Sequence, residues 1–311
     1  MTSATAARGP LGRAETSSED GRGRRRSVVT YLLVLAIIFF VWEGIKLVGG
    51  VPWREPGAPP GSPILWNPPF RWPIANDLKL PHVWTILLSF GEPWQPAVSS
   101  ENLGQYLFGA ALYTWREAAI GFVLGALLGL ALATIFVHVR LLERALVPYV
   151  IASQTIPIIA LAPLIVFAVG QGIFAVVIIA TYLTFFPVTI AMIRGLRSVD
   201  PRAIELMRSY AASRAEIYWK VRLPASLPYL FTALKISATA SIVGAIIGED
   251  TGGIQQGLGR VITTFNQYYA TGPEKLWAAI IVASLLGVAF FLVIRAAEIV
   301  VLRGRPGAAA G

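Results

Sequence analysis

The sequence predicts an all-α membrane protein with six transmembrane helices, a helical hairpin on the cytoplasmic side and both termini in the cytoplasm. Three observations predict it. The chain is 55% apolar and only 14% charged, with a mean hydropathy of +0.64, whereas a soluble domain carries about 25% charged residues. The apolar residues fall in runs of about 20, the length of a helix that crosses the hydrocarbon core. The basic residues sit at the edges of those runs. Segment 194–222 holds Arg194, Arg197, Arg202, Arg208, Arg214, Lys220 and Arg222, while the longer segment 51–104 holds only Arg54, Arg71 and Lys79. A chain that starts inside places the first segment in the cytoplasm and the second outside, as the positive-inside rule requires.

Residues 1–27 are rich in Gly, Ser, Ala and Arg and are expected to form a disordered basic tail ending at Arg24, Arg25 and Arg26. The first transmembrane helix is expected within 28–50. Its apolar core is too long for a signal peptide, and no A-x-A site follows it. The extracytoplasmic segment 51–104 is rich in Pro and Trp, so its first half is not expected to form a long helix. Trp53, Trp66, Trp72, Trp84 and Trp94 fit an interfacial belt, and residues 80–90 fit a short amphipathic surface helix. Five further spans are expected within 105–302, at about 112–137, 146–169, 172–193, 228–248 and 276–302, before a cytoplasmic tail at 303–311.

Composition excludes several functions. The net charge of +9 lies at span edges rather than on a folded basic face, so nucleic acid is not an expected partner. The chain has no cysteine, which removes thiolate metal sites and a Cys nucleophile. His82 and His138 form no metal motif and are expected to be solvated. Glu43, Lys46, Arg116, Glu117, Lys235, Arg295 and Glu298 are each expected near a helix end, where long side chains snorkel. With no ionisable group at mid-membrane and no inverted repeat, a secondary carrier is disfavoured. A membrane enzyme would show clustered acids or histidines. The nearest candidate is Glu249-Asp250, which reads as a solvated turn.

Polar groups within the apolar runs are candidates for a translocation path. In the third span, Pro157 and Pro163 free the carbonyls of Ser153 and Ile159, beside Ser153, Gln154 and Thr155. Thr181 and Tyr182 in the fourth span, and Ser237 and Ser241 in the fifth, complete the set. Each could instead serve as packing glue between helices.

Segment 195–236 carries the most information. Asp200-Pro201 is a helix start with an aspartate N-cap. Ser213 and Glu216 form an S-x-x-E capping box for a second short helix, which Pro224 and Pro228 are expected to end before the fifth span. Two short helices joined at Ala211-Ala212 thus project between spans.

This hairpin resembles the EAA loop of bacterial ABC importer permeases: Glu205-Leu206-Met207 stands for Glu-Ala-Ala, Ala211 for the loop's glycine, and Val221-Arg222-Leu223-Pro224 for its Ile-x-Leu-Pro. GFVLGALLGLALA (121–133), SQTIPIIALAPLIVF (153–167), SVDP (198–201) and GLG (257–259) are similar to nitrate/sulfonate/taurine-type permeases. The resemblance covers roughly residues 105–302 and implies a type I ABC importer permease fold in the inner membrane. It also implies a homodimer with a second permease copy, a cytoplasmic ABC ATPase dimer and an extracytoplasmic substrate-binding protein. The residues implied for ATPase coupling are Asp200, Glu205, Ala211, Ser213, Arg214, Leu223 and Pro224. No G-x-x-x-x-G-K-[ST] motif occurs in the chain, so it would hold no cofactor, and ATP with Mg would lie on the partner ATPase. The wording SQTIPIIALAPL leans toward members that import pyrimidine- or riboflavin-like heterocycles, with sulfonate, nitrate or taurine import as the alternative.

Overall fold

The computed structural model describes residues 12–54, 62–95 and 100–303. Among them the regular structure is helical, with two isolated bridges besides, Trp53 with Trp66 and Pro93 with Asn102. It divides into two compact units, one running to Ile86 and the other starting at Leu87. Five of its helices are long and apolar enough to cross a membrane, or up to six if one sharply bent pair counts as a span.

In the first unit, helix α1 runs from Gly12 to Gly49. The expected tail therefore needs correction: residues 12–27 continue the helix, and residues 1–11 lie outside the described chain. No proline interrupts 12–49, so no residue forbids the helix from extending backward from its apolar run. A short helix, α2, spans Val83–Ser89, within the expected surface helix at 80–90.

The segment before α2 folds onto the C-terminal end of α1. Lys46 donates to the carbonyl of Leu80 at 2.8 Å and pairs with Asp77. The Glu43 carboxylate meets His82 Nδ1 at 2.8 Å and accepts from the Val83 amide at 2.8 Å. Trp42 Nε1 donates to Pro81 O at 2.9 Å. His82 stacks on Trp84 with centroids 3.9 Å apart and meets the edge of Trp53. Lys46 is fully buried rather than snorkelled, and His82 is buried rather than solvated. Burial holds the His82 imidazole below its ordinary range.

The second unit is built around α6 (Ile173–Arg197), which packs between α3 (Leu103–His138) and α9 (Leu223–Thr251). Small residues allow this approach, as membrane helix packing demands. A Cβ on Gly125 would stand 2.8 Å from the Thr181 carbonyl, and one on Gly129 would stand 2.7 Å from that of Phe185. On the opposite side, Gly244 and Gly248 would meet the backbone of Ala180 and Val176 at 2.9 and 2.8 Å. Helix α11 (Pro273–Leu302) packs on α9 and α3, where Phe290 meets Phe122 edge to face at 5.0 Å.

The expected third span is broken. Helices α4 (Arg140–Ser153) and α5 (Ile158–Val169) meet at 104°, so Pro157 marks a corner rather than a mild kink. The fifth span also departs from expectation. After α7 (Pro201–Ser209) and the single turn α8 (Arg214–Ile217), a π-helical segment, Tyr218–Arg222, leads without interruption into α9. The prolines expected to stop the second hairpin helix do not stop it. Pro224 lies in the first turn of α9, where a missing N–H is tolerated, and the wider π turn precedes it. Helix α10 (Leu258–Gln267) follows, then a 3₁₀ turn at Tyr269–Thr271.

Candidate functional site

The hairpin α7–α8 is built from local signals. Asp200 caps α7 by accepting the Arg202 amide at 2.9 Å. Ala211 N donates to Arg208 O at 2.9 Å and Ala212 N to Met207 O at 3.0 Å. Those two bonds form a Schellman motif, whose pivotal residue is usually a glycine in the left-handed conformation. Here it is Ala211, with φ of 56°. The turn keeps its geometry, and the alanine Cβ costs about 1 kcal/mol.

Beyond the turn, Ser213 and Glu216 form the full reciprocal capping box, and Lys220 pairs with Glu216 at 3.0 Å. Ile217 is buried, and the Tyr218 hydroxyl meets Thr134 Oγ1 on α3 at 2.8 Å. The rest of the hairpin faces outward. Helix α7 buries no residue; Glu205 is exposed, and Leu206, Tyr210 and Trp219 are 58%, 79% and 66% exposed. Arg214 is exposed at the start of α8, while Leu223 and Pro224 are half-buried at the start of α9. The hairpin thus presents three large side chains to its surroundings.

The polar residues of the apolar runs separate into two groups. Ser153, Gln154 and Thr155 lie at the α4–α5 corner, with Pro157 at its far side. The Ser153 carbonyl, left without its helical donor by Pro157, accepts a hydrogen bond from the Tyr182 hydroxyl of α6. The Gln154 amide nitrogen is secluded from solvent without a partner. The structure thus brings Tyr182 to Ser153. The second group lies in the helix seams. Thr181 Oγ1 donates to Gly121 O at 3.2 Å, Ser237 Oγ to Thr184 O at 3.3 Å, and Ser241 Oγ to Ala238 O at 2.9 Å. Ser237 and Ser241 are fully buried.

Sequence reasoning missed a third constellation. Glu249 is fully buried, not part of a solvated turn; only its neighbour Asp250 is exposed, accepting from Thr263 at 2.6 Å. Glu249 Oε2 accepts the Gly259 amide at 2.6 Å, and Thr114 Oγ1 of α3 accepts the Leu258 amide at 2.8 Å. Together they satisfy two open donors at the start of α10. Gly257 has a φ of 92°, and a Cβ there would run into the Glu249 carboxyl. Glu117, expected near a helix end, is fully buried in α3, four turns from its start. Lys235 and Glu298 pair at 2.8 Å between α9 and α11 rather than snorkelling apart. The available signal was the GLG at 257–259 following Glu249, a helix N-terminus in need of an acceptor.

Comparison with known proteins adds to this geometry. Residues 121–303 match the family described as binding-protein-dependent transport system inner membrane component. The chain is 34% identical over 245 residues to a formylaminopyrimidine transport permease protein of Halalkalibacterium halodurans, covering 75% of this chain and 95% of that relative. It is 34% identical over 172 residues to a riboflavin transport system permease protein of Chloroflexus aurantiacus, covering 55% and 62%. To a putative aliphatic sulfonates transport permease protein of Bacillus subtilis it is 27% identical over 278 residues, covering 89% and 88%.

Proposed function

Because the chain belongs to the family of binding-protein-dependent transport system inner membrane components, the membrane permeases of ABC importers, we propose that it carries a small heterocyclic nutrient inward and is driven through its α7–α8 hairpin. The single observation that supports the coupling role is this hairpin, each helix capped at its N-terminus, anchored by Ile217 and Tyr218, and projecting Leu206, Tyr210 and Trp219. A soluble ATPase can grip such a surface and move it. Glu205 and Arg214 flank the apolar patch and would pair with charges on that partner, a separate polypeptide that supplies ATP and Mg. Cargo would arrive on an extracytoplasmic binding protein, with a second copy of this chain completing the path. The α4–α5 corner, with Ser153, Gln154, Thr155, Pro157 and Tyr182, is the proposed polar lining, and Thr181, Ser237 and Ser241 act behind it. Six crossings, counting α4–α5 as one, would leave both termini in the cytoplasm.

The heterocycle reading draws on the relatives. The formylaminopyrimidine permease shares 34% identity across nearly its whole length, against 27% for the sulfonate one. Sulfonate import is the second reading, favoured by the breadth of that weaker match. Ligand binding by the partner binding protein decides between them: a pyrimidine or flavin bound at micromolar affinity supports the first, and a sulfonate bound instead overturns it.

The coupling role is tested in proteoliposomes holding permease, ATPase and loaded binding protein. Glu205→Ala is expected to lower ATP-driven uptake about tenfold, the loss of ~1.4 kcal/mol of docking energy. Uptake that persists without any ATPase would exclude the importer reading.

A further inference from the structure

Four arginines converge on a cavity to which the transport reading gives no role. The cavity holds about 760 Å³ and is lined by Arg140, Arg144, Arg197 and Arg222, over an apolar floor that includes Val147 and Pro148. Arg140 and Arg144 lie four residues apart on α4 and share one face. Arg197 ends α6, and Arg222 ends the π segment below α9. The one carboxylate in the lining, Glu143, pairs with Arg197. Among the described residues no carboxylate pairs with the other three arginines. The Nε of Arg222 is shut off from solvent and has no acceptor, and a secluded donor without an acceptor is costly. An anion seated in the cavity would offset the like-charge repulsion among the arginines that line it.

The position and the lining narrow the choice of anion. Helix α3 ends at His138 and α6 ends at Arg197, so two candidate spans have their ends beside the cavity lining. Long basic side chains near the ends of membrane-spanning helices reach toward the headgroup region. Beside the arginines on α4, Leu141 and Leu146 are 76% and 42% exposed, which offers a surface for acyl chains. Guanidinium forks match phosphate oxygens in geometry and charge.

We propose that this cavity binds the phosphate diester of an anionic phospholipid, with the headgroup among Arg140, Arg144 and Arg222 and the acyl chains along α4. The bound lipid bridges α4 to the root of the α8–α9 helix, so its occupancy stiffens the joint through which the hairpin would be moved. This inference does not depend on the cargo.

The test uses the full chain, reconstituted into nanodiscs of phosphatidylcholine with a minority of phosphatidylglycerol, and counts co-purifying lipid by native mass spectrometry. The wild type is expected to retain phosphatidylglycerol over phosphatidylcholine by roughly tenfold, given the attraction of several basic residues for anionic lipid. The variant Arg140→Gln/Arg144→Gln/Arg222→Gln is expected to lose that preference, while Arg303→Gln, an exposed basic residue at another helix end, keeps it. Should the triple variant fail to purify, Arg222→Gln alone is expected to weaken retention several-fold. Unchanged preference in the cavity variants overturns the proposal, as does an equal loss in Arg303→Gln. Thermal protection by inorganic phosphate without any lipid preference also overturns it, because the oxyanion would then come from solution.

Discussion

Ala211 shows how a single residue can satisfy a motif at a cost. The Schellman bonds form around it, yet its φ of 56° is one that glycine adopts freely. Ala211→Gly is therefore expected to stabilise the hairpin by about 1 kcal/mol, read as slower hydrogen exchange of the amides in 200–222. Its neighbours were legible beforehand, because Asp200, Ser213 and Glu216 act on amides two or three residues away. Glu249 was not. It accepts the Gly259 amide, while the neighbouring Leu258 amide goes to Thr114, more than a hundred residues earlier in the chain. Glu249→Ala is expected to lower thermal stability in detergent by about 1–3 kcal/mol, since it strands a buried amide. Glu249→Gln, which keeps an acceptor, should recover most of that loss.

Among the elements, the breaks were foreseen better than their shapes. Pro157 announced a disruption, but the 104° corner depends on Tyr182 reaching across from α6, a contact that no local pattern encodes. The π segment was invisible because its cause lies in how Pro224 and Tyr218 are accommodated together, one at the start of a helix and the other against α3. The seam between α3 and α6 was written in the sequence as Gly121, Gly125 and Gly129, spaced four apart. Gly125→Leu should therefore disrupt it by about 1–3 kcal/mol or more, the usual cost of overpacking. Gly109→Ala on the same helix, where a Cβ meets nothing within 4 Å, is expected to be neutral or to stabilise by up to about 1 kcal/mol. Thermal unfolding of the two variants side by side checks both.

For the whole molecule, apolar runs and charge bias carried the class and the approximate number of crossings, since both are set by the bilayer and not by neighbouring residues. The partition into two units and the retention of Lys46 and His82 in the first were not legible, because they depend on Asp77, Leu80 and Glu43 meeting after the chain reverses. Orientation can be measured directly in a chain that has no native cysteine. Ser209→Cys is expected to react with an impermeant maleimide only in inverted vesicles, and Ile74→Cys, at a 70% exposed position, only in intact cells. Labelling of both from one side would refute the assigned sidedness.

From Arg214 to Thr251 the backbone stays helical for 38 residues, roughly 57 Å at 1.5 Å per residue. Two features break its regular hydrogen bonding near one end, the π segment at Tyr218–Arg222 and Pro228. Under the proposed coupling, a torque applied at Trp219 would travel along this helix toward Glu249, whose carboxyl holds the first turn of α10. A twist begun at one end would then be delivered at the other as a pull on a helix cap.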